Sequence, residues 1–219
     1  GNAMNVMRTV ALFEAAGAAA VQLEDQTFPK RCGHLDGKSV IPAAEMVGKI
    51  RAACAARRSR DFLIVARTDA ASILGLDEAL ARARAYREAG ADVLFVESPR
   101  DRAELLAVSR ALAGVPLVAN MVEGGKTELL DNAELQELGY RIVLYPNSLV
   151  RLFGRAGAEL LATLRRAGTT RSEQKAMLSF AELNDLVGQR EHAAREAQFL
   201  GQPGTGETNA GARAPGEMR

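Results

Sequence analysis

Three times in this chain a helical stretch stops at a glycine and a short apolar run follows. Residues 3–16 carry Met4, Met7, Val10, Ala11 and Phe13 on one helical stripe, stop at Gly17, and give way to the run Ala18–Leu23. Arg87-Glu88-Ala89-Gly90-Ala91 precedes the run Val93–Val96, and Gln136-Glu137-Leu138-Gly139-Tyr140 precedes Ile142–Tyr145. Glycine is the residue that most readily ends a helix, because it accepts the left-handed backbone needed there. Helix, glycine, buried strand is the return half of a βα unit. Two more apolar runs fit the same alternation: Phe62–Ala66 after a helix over Ala43–Ala56, and Leu117–Ala119 after a helix over Arg102–Ala113, with Pro116 at its entry. Strands alternating with helices predict a parallel sheet in an α/β fold. Runs that are apolar throughout, not at every second residue, predict strands covered on both faces.

Each run ends in polar residues: Glu24-Asp25, Arg67-Thr68-Asp69, Glu97-Ser98, Asn120, and Asn147-Ser148. In a (β/α)8 barrel of the TIM type, the C-terminal strand ends build the active site. Polar residues at every strand end are better explained by one shared site than by separate solvated loops. A full barrel takes eight strands and about 250 residues. The pattern here supplies five, so strands 4–8 are expected within the chain and strands 1–3 upstream of it. An open doubly wound sheet is the competing fold, but no glycine-rich dinucleotide loop marks a switch point.

A helix over Ser148–Arg166 follows, with Leu149, Leu152, Phe153, Leu160, Leu161 and Leu164 on its apolar stripe. Residues 1–167 are thus the expected partial barrel, and residues 168–200 a polar linker plus a last helix, Ser179–Leu200, extending beyond it. Ser179 and Glu182 have capping-box spacing at its start. Residues 201–219, rich in Gly, Pro and Ala without an apolar period, are expected to be disordered. With 28 basic and 27 acidic residues the net charge is +1, which gives no reason to expect nucleic acid or an anionic membrane as partner. Two cysteines far apart suggest no disulfide framework and fit a reducing, cytoplasmic setting. No apolar run is long enough to span a bilayer, and no signal peptide is visible.

The chemistry concentrates between Leu23 and His34. After the strand end at Glu24-Asp25 comes a loop bounded by Pro29 and Gly33 that carries Lys30, Arg31, Cys32 and His34. A thiol among three potential cations is expected to titrate below its free value of about 8.5 and to exchange protons near neutral pH. The residues alone leave open whether Cys32 is functional or a small apolar residue; Cys54, inside a helical pattern, reads as the latter.

The run Lys30-Arg31-Cys32-Gly33-His34, after Glu24-Asp25-Gln26, resembles the signature of the isocitrate lyase and phosphoenolpyruvate mutase superfamily. The resemblance extends from Gly1 to about Phe199 through Ala66-Arg67-Thr68-Asp69-Ala70, Phe95-Val96-Glu97 and Ala119-Asn120-Met121-Val122-Glu123-Gly124-Gly125-Lys126-Thr127. It implies a Mg²⁺ enzyme, with Mn²⁺ as a substitute, that cleaves or rearranges 2-oxo acid derivatives through an enolate. On this resemblance Cys32 matches the acid that protonates the leaving carbanion, with His34 supporting it. Gly33, Arg67, Glu97, Asn120 and Arg151 match substrate-side groups. Glu24 matches an outer-sphere carboxylate around a hydrated metal. The last helix matches one swapped between subunits, implying a homo-oligomer (dimer or tetramer); the residues themselves equally allow a helix packed on its own barrel.

Two departures qualify the match. The family's Asp-x-Asp-x-Gly metal segment would lie upstream of Gly1, so the direct ligands are expected there, and this chain alone is expected to bind Mg²⁺ poorly and to be inactive. Methylisocitrate lyases carry an arginine where Phe180 stands, which favours a substrate smaller than a tricarboxylate. The reading is therefore a C–C lyase acting on an alkylmalate or methylisocitrate-like 2-hydroxy acid. The alternatives are a carboxyphosphonoenolpyruvate or phosphoenolpyruvate phosphonomutase, an oxaloacetate decarboxylase, and a truncated non-catalytic homologue.

Overall fold

A computed structural model describes residues 1–33 and 37–200. His34 and the tail 201–219 lie outside the described residues. The chain divides into two compact units, Gly1–Phe153 and a second beginning at Gly154.

In the first unit the alternation holds. In chain order it runs α1 (Ala3–Ala15), β1 (Ala20–Glu24), α2 (Ala43–Ala56), β2 (Leu63–Thr68), α3 (Ala71–Leu74), α4 (Leu76–Glu88), β3 (Val93–Val96), α5 (Arg102–Ala111), β4 (Val118–Asn120), α6 (Asn132–Glu137) and β5 (Ile142–Leu144). The three glycines end their helices in the same way. Gly17, Gly90 and Gly139 have φ of 84°, 109° and 99°. In each case the next amide reaches back to the last turn: Ala18 to Phe13, Ala91 to Tyr86 and Tyr140 to Leu135, at 3.0–3.1 Å. This is the glycine-ended Schellman geometry, and it turns the chain straight into the following strand. At Gly90 a side chain is also excluded sterically, since a Cβ would lie 2.9 Å from Cys54 Sγ.

All the pairings between named strands are parallel, in the orders β1-β2-β3 and β4-β5. An isolated parallel bridge, Leu94 to Leu117, links the two groups. The core lies between β2–β4 and the helices, around Met46, Ile50, Tyr86, Leu94, Leu105, Leu112, Met121 and Leu135, all essentially inaccessible. The expectation that every strand is covered on both faces fails for β1 and β5. Ala20 and Gln22 are exposed in β1, as are Ile142 and Leu144 in β5. Among the described residues these two strands end the pairing, so each has a strand neighbour on one side only.

Helix α7 (Ser148–Ala167) runs across the boundary into the second unit, which continues with a 3-10 helix (Arg171–Ala176), α8 (Phe180–Leu186) and α9 (Gln189–Leu200). The polar stretch after α7 winds into the 3-10 helix, and Glu173 accepts a hydrogen bond from Thr163 at 3.1 Å. One expectation needs correction here. The single helix expected over Ser179–Leu200 is two helices, because Gly188 adopts φ 69° and breaks it. The expected cap is present: Ser179 and Glu182 bond each other's backbone amides at 3.2 and 2.8 Å. Among the described residues no helix is long and apolar enough to cross a membrane.

Candidate active site

The strand register decides which strand-end residues meet. Glu24 is paired with Arg67 across β1 and β2, and Arg67 with Phe95 across β2 and β3. The amide of Glu97 donates to the carbonyl of Thr68 at 2.9 Å, extending that pairing past the end of β3. Glu24, Arg67, Asp69 and Glu97 therefore gather at one end of the sheet. Arg67 is the hub. Its Nε and Nη2 form a fork on Asp69 at 2.9 and 3.1 Å, Nη2 lies 3.3 Å from Glu97 Oε2, and Nε lies 3.8 Å from Glu24 Oε2. The guanidinium also lies 4.9 Å from the Phe95 ring centroid, within cation–π range. Asn120, from the end of β4, donates through Nδ2 to both oxygens of Glu97 at 3.3 Å.

These charges are buried, and their titration reflects it. Burial raises Asp69, but the fork from Arg67 and the nearby Lys38 outweigh it and hold the carboxyl below its usual value. Burial disfavours the charged Arg67 too, and Asp69, Glu97 and Glu24 more than compensate. Glu24 is different: burial dominates, and its carboxyl is pushed up despite Arg67 and Lys30.

The loop bearing Cys32 is closed by its own ends. Gln26 bridges Val40 in antiparallel fashion, and the Thr27 amide donates to Ser39 O at 2.9 Å. The side-chain amide of Gln26 both donates to Arg31 O and accepts from Arg31 N, at 2.9 Å each. That reciprocal pair fixes the backbone immediately before Cys32. Cys32 is exposed, while Gly33 is buried against the charged cluster. A Cβ at residue 33 would lie 2.5 Å from Arg67 Nη2 and 2.6 Å from Glu97 Oε1. Gly33→Ala is accordingly expected to force the Arg67–Glu97 pair apart and to cost about 1–3 kcal/mol, read as a lowered thermal midpoint. An unchanged midpoint would mean that the loop is not seated on the cluster.

The cations of the loop have separate partners. Lys30 lies 3.6 Å from Glu24, and Lys38 bonds the Gly33 carbonyl and Asp69. Cys54, read as apolar, sits in α2 with its thiol donating to Gly90 O at 3.2 Å and pushed up by burial. Arg151 is placed apart from the cluster. It stands in the first turns of α7, more than half exposed, and donates to the carbonyl of Glu123 at 2.6 Å. Ser148, from the fifth strand end, hydrogen-bonds the same Glu123 side chain. His34 lies outside the described residues.

Three residues of this region were given no role from the sequence. Asp25 is fully buried and accepts from Thr68 Oγ1, Asp69 N, Arg82 Nη1 and Tyr86 Oη at 2.7–3.2 Å. Lys38 has a buried side chain, and Ser98 has a left-handed backbone. Asp25 and Ser98 were legible as polar strand ends, but their partners were not; Lys38 looks like an ordinary loop residue in sequence.

Among the described residues no group of three or more His, Cys, Asp or Glu is arranged to hold a metal. What they offer at the cluster is Glu24 Oε1, a buried carboxylate oxygen without a hydrogen-bond partner among those residues; Glu123 Oε2, beside Arg151, is another. A hydrated cation beside Glu24 fits that buried Glu24 oxygen, as an outer-sphere arrangement and not as a complete protein cage.

Comparison with known proteins identifies the family. Residues 1–165 match the family model described as phosphoenolpyruvate phosphomutase. The chain is 50% identical over 188 residues to 2,3-dimethylmalate lyase of Eubacterium barkeri, covering 86% of this chain and 65% of that protein. It is 45% identical over 190 residues to the chloroplastic carboxyvinyl-carboxyphosphonate phosphorylmutase of Arabidopsis thaliana, covering 85% of this chain and 56% of that one. The chain thus spans less than two thirds of the length of either relative. Among solved structures, 2,3-dimethylmalate lyase, described as a PEP mutase/isocitrate lyase superfamily member, superposes with a TM-score of 0.82 at 35% identity, covering 98% of this chain and 70% of that one. Phosphonopyruvate hydrolase in complex with oxalate and Mg²⁺ gives a TM-score of 0.76 at 38% identity, covering 91% and 69%.

Proposed function

The chain belongs to the phosphoenolpyruvate phosphomutase family, within the PEP mutase/isocitrate lyase superfamily, and from that premise we propose that it is a carbon–carbon lyase acting on a 2-hydroxy diacid of the alkylmalate type. The observation that carries the proposal is the seating of Gly33 on Arg67 and Glu97, which ties the exposed Cys32 to the charged cluster. The likeness to dimethylmalate lyase supports the same reading.

In this reading the C2–C3 bond of the substrate breaks as the 2-hydroxyl loses its proton to a base, a role assigned to Glu24, whose carboxyl burial pushes up. C2 becomes the carbonyl of a 2-oxo acid, and the electron pair stays on C3 beside a carboxylate. Cys32 gives its proton to C3, with His34 supporting the thiol. Arg67 presents a planar fork suited to a substrate carboxylate, and none of its hydrogen bonds among the described residues uses Nη1. Glu97 holds Arg67 and, through Asn120, the end of β4; Gly33 offers backbone at closest approach, and Arg151 is assigned a substrate-side role from α7. A dianionic substrate beside Glu24 and Glu97 calls for positive charge in addition to that of Arg67. A Mg²⁺ or Mn²⁺ ion near Glu24 would supply that charge and stabilise the developing enolate.

The five parallel strands are assigned as strands 4–8 of a (β/α)8 barrel over residues 1–167, with direct metal ligands contributed from outside the described residues. The exposed Phe180 and Leu186 on α8, Val187 just after it, and Phe199 and Leu200 on α9 support a swapped helical segment in a homo-oligomer. A phosphonomutase is the second reading, favoured by the likeness to the phosphorylmutase.

A proton-NMR product assay tests the proposal. The intact protein is given Mg²⁺ and a panel of alkylmalates, methylisocitrate and oxaloacetate. Release of a 2-oxo acid and a shorter acid from an alkylmalate is expected, with a loss of about 10²–10⁴-fold in Cys32→Ser. No cleavage across the panel, alongside turnover of a phosphonate substrate, would replace the lyase by the mutase.

A further inference from the structure

We propose that Lys38 and Ser98 are positioning residues that clamp the carbonyl of Gly33 and thereby set where Cys32 stands; the consequence for turnover rests on the reading of Cys32 as the proton donor. Lys38 Nζ donates to Gly33 O at 2.5 Å and to Asp69 Oδ1 at 3.1 Å, and its side chain is 2% exposed. From the opposite strand end, Ser98 Oγ lies 3.3 Å from the same carbonyl and 3.2 Å from Glu97 Oε1. One peptide oxygen is thus gripped from two directions by groups anchored on Asp69 past β2 and on Glu97 past β3. That peptide unit begins at the residue after Cys32.

Neither group is explained by stability alone. A lysine normally leaves its ammonium in water, and burying a charge costs several kcal/mol unless it is paired. Asp69 does not require Lys38 as a partner, because Arg67 already holds it with two bonds and its own amide is tied to Asp25. Ser98 is the one described non-glycine residue with positive φ, at 60°. Such strain costs on the order of 1–3 kcal/mol and is kept where surrounding structure enforces it. Glycine would sit there more cheaply. What serine adds is a hydroxyl, and that hydroxyl is on Gly33 and Glu97.

The test separates position from stability. In Ser98→Gly the thermal midpoint should hold or rise, while kcat falls about 10–100-fold and KM moves little. Lys38→Met should show the same split between kcat and KM. Amide hydrogen exchange over residues 26–33 should speed up in both variants, with exchange in α5 unchanged. An unchanged kcat in Ser98→Gly, or unchanged exchange over 26–33 in both variants, overturns the clamp. If the wild type turns over nothing in the panel, the lyase reading has failed, and the exchange measurement alone decides the clamp: acceleration confined to residues 26–33 upholds it.

Discussion

Replacing Arg67 by Met is expected to cost the first unit about 3–5 kcal/mol, a large share of the roughly 5–15 kcal/mol that stabilises a domain. The guanidinium is the shared partner of Asp69 and Glu97, both inaccessible to water. Methionine fills much of the volume and stacks on Phe95, but it leaves two buried carboxylates competing for Lys38 and Asn120. Urea unfolding followed by far-UV circular dichroism measures the loss. The pH dependence identifies its source. Asp69 is held below its usual value, so its paired form stabilises the fold above the unfolded pKa of about 3.9, and that contribution disappears as pH falls through the lower native value. The gap between wild type and variant should therefore narrow as the pH is lowered through that window. A gap that is constant with pH, or under 1 kcal/mol, would show that Arg67 behaves as a surface charge.

Asp25→Ala should be comparably damaging, by about 3–5 kcal/mol, for a different reason. Asp25 collects four donors, from Thr68, Asp69, Arg82 and Tyr86, and its own amide and carbonyl bond Arg67 O and Ile41 N. It ties β1, β2, α4 and the entry to α2 together beneath the site. Tyr86 stays protonated, since burial and then Asp25 push its phenol far up, so the hydroxyl is a committed donor. Tyr86→Phe alone should cost about 1–3 kcal/mol by leaving the carboxylate short of a bond. Added to Asp25→Ala it should cost little, because the hydroxyl then has no acceptor to lose. Additive losses in this double-mutant cycle would contradict the shared network.

Both predictions concern residues whose weight local sequence only partly conveys. The α/β alternation and the places where helices end were legible because they depend on local chemistry. Gly17, Gly90 and Gly139 ended helices as expected, since the left-handed turn is a property of one residue and its immediate neighbours. Boundaries moved by one or two residues at most strand ends, as hydrogen bonding extended β2 through Arg67 and Thr68. The break at Gly188 was not legible, because a single glycine inside a helical pattern is tolerated as often as it ends the helix.

The candidate site shows the same division. Glu24, Arg67, Glu97 and Asn120 were legible as polar ends of apolar runs, and Cys32-Gly33 as a motif in a polar loop. Only the tertiary structure decided their pairing, because the one-to-one register of β1, β2 and β3 places Glu24 opposite Arg67 and Glu97 against it. It also decided that Lys38 is buried, that Asp25 is a junction and not a second site carboxylate, and that Ser98 is held at positive φ. Burial and long-range hydrogen bonding depend on residues 31–65 positions away, and no local pattern encodes them. What this sequence determined alone is the order of its elements and the chemical character of each strand end; which of those ends touch, and which charges lose their water, followed from packing.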